Sequence, residues 1–141
     1  EMDQWAPGEH NGTFRGHCPA FVTATAALSY WRNSLLQESV EQKSVIVQER
    51  LAQMIRKHGA DGTVRGRGLI QGVEFADAAL ASRISQACFE RGLIIETAGI
   101  DDQVLKLLPS LTIKEDELLH GLDIIETSLR AVMSQGLRKA A

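Results

Sequence analysis

The sequence predicts an α+β fold: a small, mostly antiparallel sheet with helices on one face, preceded by a long helix. Three observations carry that prediction. Apolar residues recur at every third or fourth position in four separate stretches, as in helices with one buried face. Between the second and last of these stretches the pattern shortens to the runs and alternation of strands. Glycine or proline stands at nearly every junction. The composition agrees with a globular domain: of 141 residues, 44% are hydrophobic and 23% charged. Only 5% are aromatic, so Leu, Ile, Val and Ala must fill the core.

Residues 1–17 are polar and turn-rich, with Pro7, Gly8, Gly12 and Gly16. Pro19 starts a helix on which Ala20, Ala24, Ala27, Leu28 and Trp31 follow at helical spacing. The small residues on that face imply close packing against another element. Asn33 and Ser34 mark a break. A second helix runs to about His58, with Val40, Val47, Leu51 and Met54 on one face. Lys57 and His58 suit its C-terminus, and Gly59 suits the position after it.

From Thr63 the period changes. Leu69, Val73 and Phe75 share one face of an extended strand, and the glycines around it imply a bend or a close backbone approach. Asp77 caps a third helix that points Leu80, Ile84, Ala87 and Cys88 inward and stops at Gly92. Leu93-Ile94-Ile95 reads as a short buried strand, Gly99 to Gln103 as a turn, and Val104 to Leu108 as a strand ended by Pro109. Thr112-Ile113-Lys114-Glu115 fits a capping box. Leu118, Leu122, Ile125, Leu129 and Val132 then give the clearest helix, with a basic tail expected to fray from Gly136.

Charge and motifs narrow the function. Lys and Arg total 15 against 18 Asp and Glu, a net charge of -3, which argues against a nucleic-acid partner. No apolar run approaches the roughly 20 residues that span a membrane, and no secretion signal opens the chain. Cys18 and Cys88 read as two reduced cysteines of a cytoplasmic protein. Asn11-Gly12-Thr13 matches a glycosylation acceptor only by coincidence on that reading. His10, His17, His58 and His120 form no pair at metal-ligand spacing. Glu115, Asp116 and Glu117 suit the first turn of a helix better than an acid–base role. Gly66-Arg67-Gly68 with Gly72 has the wrong spacing for a dinucleotide fingerprint. One candidate remains, the loop Gly8-Glu9-His10-Asn11-Gly12-Thr13-Phe14-Arg15-Gly16. Its backbone N–H groups and Thr13 hydroxyl suit a phosphate; a plain surface loop is the competing reading.

GEHNGTFRG followed by an Ala-rich helix resembles the segment just after the active-site lysine in class III aminotransferases, fold-type I enzymes dependent on pyridoxal 5′-phosphate. VRGRGLIQGVEF resembles the strand pair opening that family's small C-terminal domain. RGLIIETAG and VLKLLPSLTIKEDELLHGLDIIETSL resemble its last strands and final helix. Within the class, GEHNGTFRG, GLIIETAG and GLDIIETS point to the members of ectoine biosynthesis, which move an amino group between glutamate and aspartate semialdehyde.

The resemblance implies that residues 1–33 end a large cofactor-binding domain and 34–141 form the small C-terminal domain. It implies that Thr13, with the small Gly12 before it, reaches across a homodimer (or higher homo-oligomer) to the partner's cofactor phosphate. It places Lys106 where many members carry an arginine, on the penultimate strand, that holds the substrate carboxylate. A lysine keeps the charge but loses the bidentate fork, and a solvated lysine on an edge strand is the alternative. The substrates implied are small amino acids and 2-oxo acids. The family's cofactor-linking lysine should precede the Thr13 loop, and none of Lys43, Lys57, Lys106, Lys114 or Lys139 has the right context. The chain, opening on Glu1, is therefore expected to be the C-terminal part of such an enzyme, inactive alone. Another class III ω-amino acid transaminase, of ornithine or 4-aminobutyrate type, an aminomutase, and a non-catalytic α+β interaction module remain alternatives.

Overall fold

The computed structural model describes residues 4–9 and 11–139, the last four by their backbone alone. His10 lies outside the described residues. The chain divides into two compact units, Glu1–Leu35 and Leu36–Ala141.

In the first unit a series of turns leads into helix α1, Cys18–Leu28, with Pro19 in its opening turn. Pro fits there because the N–H it lacks would have no helical partner. Thr23 and Thr25 donate their hydroxyls back to the Pro19 and Phe21 carbonyls, at 3.0 and 2.8 Å. A single 3-10 turn, Ser29–Trp31, follows. The expected break comes next: Asn33 Oδ1 accepts the Leu35 N–H at 3.1 Å, a local bond that competes with helix continuation. No residue of α1 is buried, so its Ala-rich face has no covering element within this unit.

The second unit carries the core. Helix α2 (Leu35–His58) leads to the hairpin β1 (Gly62–Arg67) and β2 (Ile70–Phe75). Helix α3 (Ala78–Phe89), strands β3 (Glu96–Ala98) and β4 (Val104–Leu107), and helix α4 (Glu115–Lys139) follow. Gly59, at φ +64, closes α2 in the left-handed conformation that glycine adopts without penalty. Asp77 caps α3, its side chain accepting the Ala79 N–H at 3.0 Å. Gly66 sits opposite Gln71 at φ +141, where a Cβ would collide with the Ile70 carbonyl oxygen.

All strand pairs are antiparallel, in the order β1-β2-β4-β3. The register sets Val73 against Leu105 and Gln71 against Leu107, so these four side chains share a face with Phe75. Val47, Leu51 and Met54 of α2, Ile84 and Cys88 of α3, and Leu122 and Leu129 of α4 bury themselves in one cluster with its apolar members. Gln71 is the one polar side chain on that face of β2. Its Nε2 donates to the Ser44 carbonyl (2.9 Å), the Ser44 hydroxyl (3.0 Å) and the Gly68 carbonyl (2.8 Å). It thereby ties the hairpin turn to α2.

Four local expectations are corrected. Leu93-Ile94-Ile95 is not a buried strand: Ile94 is 83% exposed, and strand pairing begins at Glu96. The Leu93 N–H is taken by the Cys88 carbonyl at 3.0 Å and the Ile95 carbonyl by the Ser85 hydroxyl at 2.6 Å, so this run is spent leaving α3. The expected Thr112–Glu115 capping box does not form: Lys114 precedes α4 and has no side-chain acceptor, so only the return half of such a box exists, its N–H donated to Glu117 at 3.4 Å. Helix α4 continues to Lys139, past the expected fraying point at Gly136. Finally, β4 is an inner strand and the last in the chain; β3 forms the edge.

Candidate functional site

Gly12 and Thr13 stand side by side in one exposed turn of the first unit. Asn11 Oδ1 accepts the Gly12 N–H at 3.0 Å, and the Gly12 carbonyl accepts the Arg15 N–H at 3.2 Å. A Cβ at Gly12 would meet the Arg15 side chain at 3.0 Å, so a larger residue there would shift that exposed side chain by a few tenths of an ångström. His17, the residue before α1, sets its ring edge-on to Phe14 with centroids 6.2 Å apart. The turn thus presents the exposed Thr13 hydroxyl, a donor that suits a phosphate oxygen.

Lys106 lies in the second unit, on β4. Its Nζ is 2.7 Å from Glu96 Oε2, directly across the β3–β4 ladder. The Lys106 side chain is 32% exposed and that of Glu96 71%. The Lys106 hydrogen bond and charge hold the Glu96 carboxyl below its ordinary pKa. Sequence reading missed this partner. Counting outward from the Gly99–Gln103 turn would have found it, because a hairpin pairs residues symmetrically about its loop.

Beside this ion pair opens a cavity of about 410 Å³. It forms where the chain before Glu96 turns off toward α3 while β4 runs on to Pro109, so the two segments part beneath α4. Leu93, Ile95, Leu107, Pro109, Leu118 and Leu122 are among its apolar lining; Glu96, Lys106 and Glu117 supply its charged side chains.

The other ionisable groups serve packing. Burial pushes the Cys88 thiol above its ordinary pKa, against the opposing pull of the neighbouring Ser128 hydroxyl and Arg91, which leaves it a poor nucleophile. The buried Ser128 Oγ has no hydrogen-bond partner within ordinary geometric limits, so its pull on the thiol is weak beside burial. His58 is committed to Glu126 at 3.3 Å, and His120 is exposed on α4. Among the described residues no helix is long and apolar enough to cross a membrane.

The sequence pattern of the family described as "Aminotransferase class-III" matches residues 1–129. The chain belongs to the class-III aminotransferase family. Curated relatives include the diaminobutyrate–2-oxoglutarate transaminases of Nocardia farcinica and Bordetella parapertussis. The first is 48% identical over 133 residues, covering 94% of this chain and 30% of the relative. The second is 49% identical over 138 residues, covering 96% and 32%. The class-III likeness extends to solved structures. The ornithine aminotransferase of Toxoplasma gondii superposes with a TM-score of 0.80 at 26% identity, over 95% of this chain and 32% of its own. The acetylornithine aminotransferase of Elizabethkingia anophelis does so with a TM-score of 0.73 at 31% identity, over 91% and 34%. The chain spans about a third of the length of the curated relatives it matches.

Proposed function

We propose that this chain is the C-terminal part of a pyridoxal-phosphate-dependent transaminase that moves an amino group between glutamate and aspartate semialdehyde, yielding diaminobutyrate and 2-oxoglutarate. The observation that carries this reading is identity of 48–49% to transaminases of that name over 94–96% of the chain. On this reading residues 1–33 close the large cofactor-binding domain and residues 34–141 are the small domain. The enzyme works as a homodimer or higher homo-oligomer in the cytoplasm, on small amino acids and 2-oxo acids.

When bound, pyridoxal phosphate supplies the electron sink for amino-group transfer. The chain's own residues bind and orient. Thr13 offers its hydroxyl to the phosphate of the cofactor in the partner subunit, and Gly12 keeps the turn small enough for that approach. Lys106 offers a positive charge to a substrate carboxylate, as a point charge rather than a fork. The lysine that would link the cofactor lies outside this chain, which is accordingly inactive alone.

Two measurements test the reading. The full-length enzyme, assayed against 2-oxoglutarate, is expected to prefer diaminobutyrate over ornithine and 4-aminobutyrate; a clear preference for ornithine overturns the substrate assignment. The 141-residue chain mixed with pyridoxal phosphate is expected to show no absorbance of lysine-linked cofactor, and such a band overturns the claim that the lysine lies elsewhere.

A further inference from the structure

Asn11-Gly12 lies beside the residue assigned to the cofactor phosphate, and it carries a chemistry of its own. Asparagine is a thermolabile residue, because the next backbone nitrogen can attack its side-chain amide. A following glycine puts no Cβ in the way. Asn11 and Gly12 are exposed, in backbone that is neither helix nor strand. Asn11 Oδ1 accepts the Gly12 N–H at 3.0 Å, so the side-chain amide is folded back over the nitrogen that must attack it. Among the described residues no main-chain carbonyl accepts that N–H, so no ladder or helix holds it away. The chain supplies its own comparison. Asn33, the other asparagine, is exposed as well. Its Oδ1 accepts the N–H two residues on, at Leu35, and the residue next to it is Ser34, which has a Cβ. Asp61-Gly62 shares the glycine, but Gly62 is paired with Phe75 in the β1–β2 ladder.

We propose that Asn11 is a site of spontaneous deamidation, and that its conversion disables the neighbouring turn as a phosphate-binding element. The Gly12 nitrogen gives its proton to hydroxide and bonds to Asn11 Cγ. The Cγ–Nδ2 bond breaks, and the amide nitrogen leaves as ammonia. Water then opens the five-membered ring at either carbonyl, giving aspartate or, where the main-chain bond is cut, isoaspartate. Water enters, ammonia leaves, and nothing is oxidised or reduced. Either product sets a carboxylate two residues from Thr13, where it repels a phosphate dianion. Isoaspartate also routes the main chain through Cβ, which adds a methylene before Gly12 and moves Thr13. This consequence rests on the reading of Thr13 as a phosphate ligand. On that reading a bound phosphate holds the Gly12-Thr13 segment still, so the holoenzyme ages more slowly than the apoenzyme.

The test follows the full-length apoenzyme and holoenzyme over days, at neutral and at alkaline pH. Cleavage after Glu9 and Arg15 releases residues 10–15. Mass spectrometry of that peptide reads amide-to-acid conversion at Asn11, and a methyltransferase specific for isoaspartate reads the isomer. The apoenzyme is expected to convert, faster at alkaline pH, and about tenfold faster at Asn11 than at Asn33. Bound pyridoxal phosphate is expected to slow conversion at Asn11 about threefold or more. Asn11→Asp makes one product directly and is expected to raise the Kd of the apoenzyme for pyridoxal phosphate about tenfold, read by absorbance titration. An Asn11 that keeps its amide throughout, or equal rates at Asn11 and Asn33, overturns the site. Equal rates in apoenzyme and holoenzyme overturn the protection. If Asn11→Asp leaves the Kd unchanged while Thr13→Ala raises it, the turn binds phosphate and the proposed consequence alone is overturned. If neither substitution moves the Kd, the reading of Thr13 has failed and the consequence falls with it.

Discussion

Lys57 on α2 and Glu126 on α4 meet at 2.6 Å, and the same carboxylate oxygen lies 3.3 Å from His58 Nε2. Arg50 reaches the other oxygen at 3.5 Å and Asp123 at 2.6 Å. Glu126 is therefore the hub through which the polar flank of α2 is tied to α4, beside the apolar packing of the two helices.

The hub gives stability a pH dependence of known sign. The hydrogen bond from Lys57 is the main cause holding the Glu126 carboxyl below its ordinary 4.5, with His58, Lys57 charge and Arg50 adding to it against desolvation. A carboxylate with a depressed folded pKa contributes stability above the unfolded value and loses it as pH falls through the folded one. Glu126→Gln is expected to cost about 1 kcal/mol at pH 7. In urea titrations the gap between the two chains should begin to narrow as pH falls through about 4.5 and close only below the depressed folded value. A gap that stays constant down to strong acid contradicts this.

Gly66 and Gly92 both have positive φ, at +141 and +84, but differ in their surroundings. A Cβ at Gly92 meets nothing within 4 Å, whereas one at Gly66 strikes the Ile70 carbonyl oxygen and comes within 2.6 Å of Gln71 Cα. Gly92→Ala should cost about 1 kcal/mol, the backbone penalty alone. Gly66→Ala should cost at least twice that, because the hairpin must open. Denaturation midpoints that rank the two variants equally contradict the steric account.

Gln71→Leu puts an apolar side chain of similar size on the buried face of β2 and takes the amide donor from the Gly68 carbonyl and the Ser44 hydroxyl, while the Ser44 carbonyl keeps its partner within α2. The expected loss is about 1–3 kcal/mol. Ser44→Ala removes only one of the three acceptors and should cost less than half as much, read by the same urea titration.

In the full-length enzyme, Thr13→Ala removes the hydroxyl offered to the cofactor phosphate. The dissociation constant for pyridoxal phosphate is expected to rise about tenfold, consistent with loss of one hydrogen bond to a charged group. Thr13→Ser should restore most of it. Unchanged retention in the alanine variant returns this turn to a plain surface loop.

The parts of the fold that were legible are those written in local spacing. Val47, Leu51 and Met54 declare the buried face of α2, and Asp77 and Gly59 declare a start and a stop. The errors fall where a distant partner decides. Leu93-Ile94-Ile95 has strand composition, yet the ladder with β4 selects Glu96–Ala98 instead. That displacement also hid the Glu96–Lys106 pair, because the facing residues of a hairpin follow from its limits. The strand order, which puts β4 inside the sheet, depends on β2 reaching across α3 in sequence and has no local signature. Of the candidate site residues, Thr13 stood in a turn-rich loop and Lys106 was marked by the family resemblance alone, but the cavity beside Lys106 arises from the divergence of two segments and could not be read from either.

The order β1-β2-β4-β3 makes the sheet two hairpins joined along one seam, where Gln71–Glu74 pair with Val104–Leu107 and the Phe75 N–H donates to the Gln103 carbonyl at 2.9 Å. Each hairpin closes a short loop, whereas the seam must also bring together stretches separated by all of α3 and β3, at a greater entropic cost. As the chain leaves the ribosome, β1 and β2 can zip up at once, but they stay half a sheet until Leu107 has emerged. Gly72, where a Cβ would come within 2.9 Å of the Leu105 carbonyl oxygen, then lets the two halves close flush, so the seam is the part of the sheet that asks most of the chain.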